Sequence, residues 1–153
     1  MNHDNYEDAY LANILNSVKS IAIVGASANS ERPSFGVARY LIGKGYEVYP
    51  VNPGHAGGQI LDRSVYARLA DIPTRIDMVD IFRASKAVAS VVEQALALEP
   101  LPRAIWMQLS VRDDEAAARA EAAGIDVVMN RCPKIEYERL KDRMIPTPPT
   151  NAV

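Results

Sequence analysis

Short apolar stretches rich in β-branched residues alternate along the chain with stretches whose apolar positions recur at helical spacing. The apolar stretches predict five strands, over residues 20–24, 47–51, 78–82, 104–107 and 126–129. The helical spacing between them predicts helices over residues 36–44, 86–98 and 113–123. The chain therefore repeats a strand–helix unit from its first third to its end.

Strands that are apolar on both faces are typical of a sheet covered by helices on both sides, and helical crossovers make neighbouring strands parallel. The sequence therefore predicts an α/β fold with a single doubly wound, mainly parallel, Rossmann-like sheet of five or six strands and helices on both faces. The sixth strand would be a short edge strand over residues 59–61, inside an irregular, glycine-interrupted crossover over 53–73.

The two ends of the chain differ in pattern. Acidic residues precede apolar positions at helical spacing near the start, which predicts an amphipathic helix over about residues 4–18. Near the end, Pro146, Pro148 and Pro149 exclude a continuing helix or sheet ladder. We therefore expect one domain over residues 1–145, followed by a Pro-rich flexible tail over 146–153.

Composition narrows the class of protein. The 153 residues are 48% hydrophobic and 24% charged, as in one globular domain. A formal net charge of −2 supplies no field for nucleic acid or anionic lipid, and no apolar run is long enough to span a membrane. The acidic start is not a signal peptide, so we expect a cytoplasmic protein. One cysteine and two histidines make neither a disulfide nor a common structural zinc site.

Candidate chemistry begins in the loop after the first predicted strand. Ligands of such sheets bind at the carboxyl ends of the strands. Gly25 allows a tight turn, and the loop that follows it offers hydroxyl groups and a cation before the next helix. With the amides at the start of that helix, these groups predict a phosphate-binding loop. Its donors are Ser27, Ser30, Arg32 and Ser34.

Better-known motifs do not fit this loop. Ser27 stands where a dinucleotide motif has its second glycine, and no carboxylate ends the second predicted strand to hold a ribose diol. Asn29 breaks the pattern of a hydrolase nucleophile elbow, and Gly43-Lys44 runs into Gly45 rather than into the Ser or Thr of a nucleoside-triphosphate loop. The loop therefore belongs to another class of phosphate site.

Five strings of residues, taken in order and spacing, suggest which class this is. They cover residues 23–27 with 32–34, 45–53, 79–83, 106–109 and 127–136. Together they resemble the small CoA-binding proteins of bacteria and archaea, whose domain is similar to the N-terminal domain of the succinyl-CoA synthetase alpha subunit. Ser110 departs from the family pattern, which usually has Gly after Gln-Leu.

The resemblance implies a CoA site with three parts. The pyrophosphate would lie on the loop from Gly25, Ala26 and Ser27 through Ser30, Arg32 and Pro33 to Ser34. Val51, Asn52 and Pro53 would flank the adenosine, where a carboxylate would repel the 3′-phosphate of CoA. Phe82 and Arg83 end a strand at the same edge, so Arg83 either contacts phosphate or forms a surface ion pair. The pantetheine arm would pass Gln108, Leu109 and Ser110.

Three functions follow from these observations. The first is a CoA-binding or acyl-CoA-binding protein that is non-catalytic or regulatory, because no histidine after His55 matches the phosphorylated histidine of the synthetase. The second is an enzyme that uses CoA or another nucleotide-type cofactor, with Cys132 or Asp80 in the chemistry. The third is a CoA-sensing interaction protein that contacts a partner through its N-terminal helix. A homodimer and a contact with another protein both stay open.

Overall fold

A sheet of five parallel strands forms the centre of the protein. The computed structural model describes residues 1–144, and the predicted tail over 146–153 lies outside them. The strands are β1 Ser20–Val24, β2 Glu47–Val51, β3 Gln59–Ile60, β4 Arg63–Ser64, β5 Met78–Ile81, β6 Ala104–Met107 and β7 Asp126–Val128. The helices are α1 Asp8–Ser17, α2 Pro33–Gly43, α3 Val88–Leu96, α4 Asp114–Ala122 and α5 Pro133–Leu140.

The central sheet has the strand order β2-β1-β5-β6-β7, and all its neighbours pair in parallel. Every residue of β1, β5 and β6 is buried, which explains why their sequences are continuous apolar runs rather than alternating ones. The predicted α/β, Rossmann-like fold is confirmed. The chain runs from β1 outward to β2 and then crosses back past β1 to β5. The strand order therefore reverses between β1 and β5.

Two hydrophobic clusters cover the two faces of the sheet. One contains the buried side chains of α1, α2 and α5 with Ile21, Ile23 and Trp106. The other contains those of α3 and α4 with Val24 and Met107. None of the helices within residues 1–144 is long and apolar enough to cross a membrane.

Helix boundaries differ from the predicted ones in two informative places. Helix α2 begins at Pro33 rather than at residue 36, because Pro fits the first helical position, where no backbone N–H is needed. Helix α5, which was not predicted, begins at Pro133 for the same reason. The early start of α2 shortens the loop after β1 and brings the first turn of the helix to the carboxyl edge of the sheet.

The segment predicted as a sixth strand has a different role. Gln59–Ile60 is a strand, but it pairs with β4 in a separate antiparallel hairpin, so the expectation of an edge strand in the main sheet is wrong. Gly57 and Gly58 precede β3, and Leu61 and Asp62 between β3 and β4 have left-handed backbone conformations. The chain therefore turns back on itself within a few residues. The main sheet therefore has five strands.

Tyr6, just before α1, and Tyr10, in its first turn, cover the edge strand β7 and the residue that follows it. The Tyr10 hydroxyl donates to the Val127 carbonyl at 2.8 Å and accepts from the Val127 amide at 3.0 Å. The Tyr6 hydroxyl accepts from the Met129 amide at 2.8 Å. These tyrosines satisfy backbone groups that a further strand would otherwise pair with, which protects the edge against non-native pairing. Helix α1 therefore starts at Asp8, later than residue 4.

Candidate functional site

A cleft of about 530 Å³ opens at the carboxyl ends of β1, β5 and β6, where the strand order reverses. Its volume lies within the range of small-molecule and cofactor sites. The residues that line it come from four loops and the start of α2. They are Gly25, Ala26, Ser27, Arg32, Pro33, Ser34, Asn52, Phe82, Arg83, Ala84, Gln108, Leu109, Ser110 and Val111.

Gly25 fixes the floor of the cleft. Its φ is +88°, and its amide donates to the carbonyl of Val51 at 3.0 Å. A Cβ at this position would lie 2.6 Å from the carbonyl oxygen of Phe82 and 3.2 Å from Cδ of Arg83. Only glycine fits both the backbone conformation and this close approach of the β1 and β5 loops.

The loop after Gly25 is held by hydrogen bonds along its length, among them those from the Glu31 amide to Oδ1 of Asn29 at 2.9 Å and from the Arg32 amide to the Asn29 carbonyl at 3.0 Å. The Asn52 side-chain amide donates to the Ala26 carbonyl at 2.8 Å, which ties the loop to the end of β2. Farther along, the Ser27 hydroxyl accepts from the Asn29 amide at 3.0 Å, so its own O–H is available to donate into the cleft. Residues 28–33 are exposed, whereas Ser34 in the first turn of α2 is buried.

The start of α2 faces the cleft with the Ser34 amide. Arg32 is the N-cap residue, and its side chain makes no capping hydrogen bond. Pro33 has no N–H, and the Phe35 amide donates to the Arg32 carbonyl at 3.0 Å, so the Ser34 amide is the donor of this turn that is left for a ligand in the cleft. The helix dipole adds partial positive charge there. Such a terminus binds phosphate and carboxylate groups.

The charge of the cleft is opposite to that of the chain. Its lining includes the guanidinium groups of Arg32 and Arg83, whereas none of the lining residues within the described part of the chain is an Asp or Glu. The chain as a whole has a formal net charge of −2. The cleft therefore concentrates positive charge that attracts anions.

The wall opposite the loop is a tight turn after β6. The Val111 amide donates to the Gln108 carbonyl at 2.8 Å, and the Ser110 amide donates to Oδ1 of Asn130 at 2.7 Å. Ser110 has a φ of +71°, the left-handed conformation that glycine adopts most readily. Leu109 is 48% exposed and presents an apolar side chain at this wall.

The sequence-predicted site residues divide into two groups. All of them line this cleft except Ser30, Val51 and Pro53. Ser30 is exposed on the outside of the loop, Val51 is buried beneath it, and Pro53 lines a neighbouring cavity of about 90 Å³ that also includes Val51 and Arg83. The sequence reasoning missed Ala84 and Val111, whose only signal is that each follows a predicted residue.

The two residues considered for covalent or acid–base chemistry do not line the cleft. Cys132 is 6% exposed at the N-terminus of α5. Asp80 is fully buried in β5, and burial raises the pKa of its carboxyl group well above the ordinary value. Neither side chain is placed to touch a ligand in the cleft.

Comparison with known proteins identifies the family. Residues 19–138 match the family model described as a CoA binding domain. The chain belongs to this family. The match spans the cleft from β1 to α5, including every residue that lines it.

Two relatives of this CoA-binding family match nearly the whole chain. The uncharacterized protein YneT of Bacillus subtilis (strain 168) is 31% identical over 133 residues, which is 87% of this chain and 96% of YneT. A hypothetical protein from Pyrococcus horikoshii OT3, known from its solved structure, is 39% identical with a TM-score of 0.84, covering 90% of this chain and 94% of that one. The domain therefore recurs as a protein of this size.

A more distant match joins the domain to a larger enzyme. Acetate–CoA ligase (ADP-forming) II of Archaeoglobus fulgidus is 35% identical over 78 residues, which is 50% of this chain and 11% of the ligase. Most of that enzyme lies outside the match. The similarity therefore concerns the domain and not the activity of the whole ligase.

Proposed function

We propose that the protein binds CoA or an acyl-CoA in this cleft and acts as a non-catalytic or regulatory binding module. One observation carries the proposal. Two arginines and a helix N-terminus meet in a cleft without a carboxylate, in a chain whose net charge is negative. That combination suits a ligand with several phosphate groups.

The proposed ligand occupies the cleft from one wall to the other. The pyrophosphate binds the Ser34 amide at the start of α2, the Ser27 hydroxyl and the guanidinium groups, while Asn52 lies on the adenosine side. The pantetheine arm passes the turn after β6, where Leu109 offers apolar contact. A ligand that is anionic at one end and less polar at the other matches this division of charge.

The burial of Cys132 and Asp80 supports the non-catalytic form of the proposal. A nucleophile or general base must come within hydrogen-bond reach of the reacting group. Both side chains are buried and lie outside the lining of the cleft. The Cys132 or Asp80 chemistry of the alternative enzyme therefore has no support from the site's geometry.

Isothermal titration calorimetry with CoA, acetyl-CoA, dephospho-CoA, NAD and NADP tests the proposal. We expect CoA and acetyl-CoA to bind, and dephospho-CoA to bind more weakly, since the loss of the 3′-phosphate removes negative charge that the cationic cleft attracts. NAD and NADP serve as dinucleotide controls and should bind weakly. Equal affinity for NAD and CoA, or no heat of binding with any CoA species in folded, ligand-free protein, would overturn it.

A further inference from the structure

Two buried polar side chains, Asp80 and the cleft-lining Gln108, have atoms that lack hydrogen-bond partners among residues 1–144. Both carboxylate oxygens of Asp80 and the amide oxygen Oε1 of Gln108 are buried without a partner. Asp80 is 0% and Gln108 7% exposed. Buried polar atoms are nearly always hydrogen-bonded, so two such side chains near each other require a physical explanation.

Asp80 and Gln108 lie on the same face of the sheet. Successive side chains of a strand point to opposite faces. Val79 and Ile81 belong to the cluster under α3 and α4, so Asp80 faces the other side, toward the cluster under α1, α2 and α5. Met107 of β6 belongs, like Val79 and Ile81, to the cluster under α3 and α4. Gln108, the next residue, therefore faces the same side as Asp80.

The register of the sheet makes the two residues diagonal neighbours. Asp80 pairs with Trp106 across β5 and β6. Gln108 follows Trp106 by two positions, and its amide continues the ladder by donating to the Ile81 carbonyl at 3.2 Å. Diagonal neighbours on adjacent strands are within the reach of a long side chain. Since Oε1 is buried, the amide oxygen of Gln108 is turned inward, away from the solvent in the cleft.

Both groups are acceptors in their usual forms, because an ionised carboxylate and an amide oxygen have no proton to share. We propose that Asp80 carries a proton, which its carboxyl group donates to Oε1 of Gln108, so that Asp80 positions the Gln108 side chain in the cleft wall. One proton then pairs Oε1 of Gln108 with one of the two carboxyl oxygens of Asp80. Burial acts in the same direction, since it raises the pKa of the Asp80 carboxyl group.

No charged neighbour competes with this assignment. Burial is the cause of the pKa shift of Asp80, with no contribution from a charged side chain. The buried titratable groups in the same cluster are Tyr6, Tyr46 and Cys132. Glu136 of α5 is also buried on this side, but its carboxylate is paired with Arg139 at 3.0 Å. Among the described residues, no cation therefore lowers the pKa of Asp80 and keeps its carboxyl group ionised.

Infrared spectroscopy of the ligand-free protein tests the proton directly. At pH 7 we expect a carboxyl C=O stretching band from a protonated acid, which disappears in Asp80→Asn. In Gln108→Met the proton stays but loses its acceptor, so the band should shift to higher frequency. If the carboxyl bands of wild type and Asp80→Asn are the same, Asp80 is not protonated. If the band does not shift in Gln108→Met, Asp80 does not donate to Gln108.

The pH dependence of unfolding gives a second readout. Asp80 holds its proton more tightly in the folded chain than in the unfolded chain, where its pKa is near the ordinary 3.8. The stability that it contributes is therefore full below that value and falls as pH rises toward the raised pKa. Relative to Asp80→Asn, the unfolding constant of the wild type should rise with pH above 3.8, by up to about tenfold per pH unit, until the pH reaches the raised pKa of Asp80. A ratio independent of pH would contradict the proposal.

A third measurement concerns the cleft and rests on the proposed function. Asn at position 80 still donates to Oε1 of Gln108, whereas Leu does not. We expect Asp80→Asn to bind CoA within about twofold of wild type and Asp80→Leu to bind at least about fivefold more weakly. Equal affinities of the two variants would overturn the positioning role. If even the wild type binds no CoA, the proposed function fails, and the infrared bands decide the Asp80–Gln108 bond alone.

Discussion

The two walls of the cleft are built in opposite ways. Residues 28–33 of the loop wall are exposed, and beyond the bond between Ala26 and Asn52 the loop is held by short-range hydrogen bonds among its own residues. The turn wall over residues 108–111 is held from within, because Gln108 is buried and Asn130 binds the Ser110 amide. One wall is exposed and locally bonded, and the other is buried and tied to a distant part of the chain.

Their chemistry differs in the same sense. The loop wall carries hydroxyl groups, a helix N-terminus and Arg32, and Arg83 stands beside it on the β5 loop, whereas the turn wall carries Leu109 and Val111. Charged groups stay hydrated until a ligand replaces the water, which an exposed loop permits. Apolar contact depends on shape, which a rigid turn supplies. This difference suits the proposed ligand, which is anionic at one end and less polar at the other.

The largest expected effect comes from breaking the base of the loop wall with Gly25→Ala. The new Cβ would lie 2.6 Å from the Phe82 carbonyl oxygen, at a φ of +88° that alanine disfavours. We expect a loss of about 3 kcal/mol in the free energy of unfolding. Any protein that still folds should bind CoA at least about tenfold more weakly, because the loop must move. Urea unfolding and calorimetry measure the two effects.

Gly36→Ala is the matched control for this substitution. Gly36 lies in α2, and nothing stands within 4 Å of a Cβ added there. Alanine in a helix interior is better than glycine by up to about 1 kcal/mol, so this variant should be as stable as wild type or more stable. Similar losses in both variants would show that the cleft floor places no special demand on Gly25.

The next effect concerns the charge of the loop side, tested with Arg83→Gln. If the cleft binds the phosphates of CoA as proposed, removing one of its cations should weaken CoA binding about tenfold and make the affinity less sensitive to salt. Arg68→Gln is the control, since Arg68 lies outside the cleft and pairs with Asp71 at 3.2 Å. Titrations at two salt concentrations measure both variants. Unchanged affinity in Arg83→Gln would show that Arg83 does not contact phosphate, which would favour the alternative role in a surface ion pair.

The sequence predicts one wall better than the other for physical reasons. Strands buried on both faces leave continuous apolar runs, and polar loops follow them, so the strand ends and the loop from Gly25 to Ser34 can be located from sequence alone. The turn wall depends on Asn130, which lies 20 residues after Ser110 and accepts its amide. Such a contact leaves no local pattern, since it exists only once β6 and β7 are paired.

The sequence also does not predict which side chains at the end of β2 point into the cleft. Val51 and Pro53 flank Asn52, yet only Asn52 lines the cleft. Alternation along β2 turns Val51 into the cluster under α3 and α4, and Pro53 begins a short 3-10 turn that leads away. The sequence shows where β2 ends, so a prediction from position includes all three residues. Which of their side chains points into the cleft becomes clear only in the packed sheet.

The smallest effect refines the loop wall itself, through Ser27→Ala. The Ser27 hydroxyl accepts from the Asn29 amide, which orients its O–H for donation to a phosphate oxygen in the cleft. Losing one such bond should cost about 1 kcal/mol, or about fivefold in CoA affinity by calorimetry. Ser30→Ala is the matched control, because Ser30 is an exposed serine of the same loop outside the cleft lining, and its affinity should stay within twofold of wild type. If Ser30→Ala weakens binding more than Ser27→Ala, the ligand lies on the outer side of the loop and the two-wall description of the cleft is wrong.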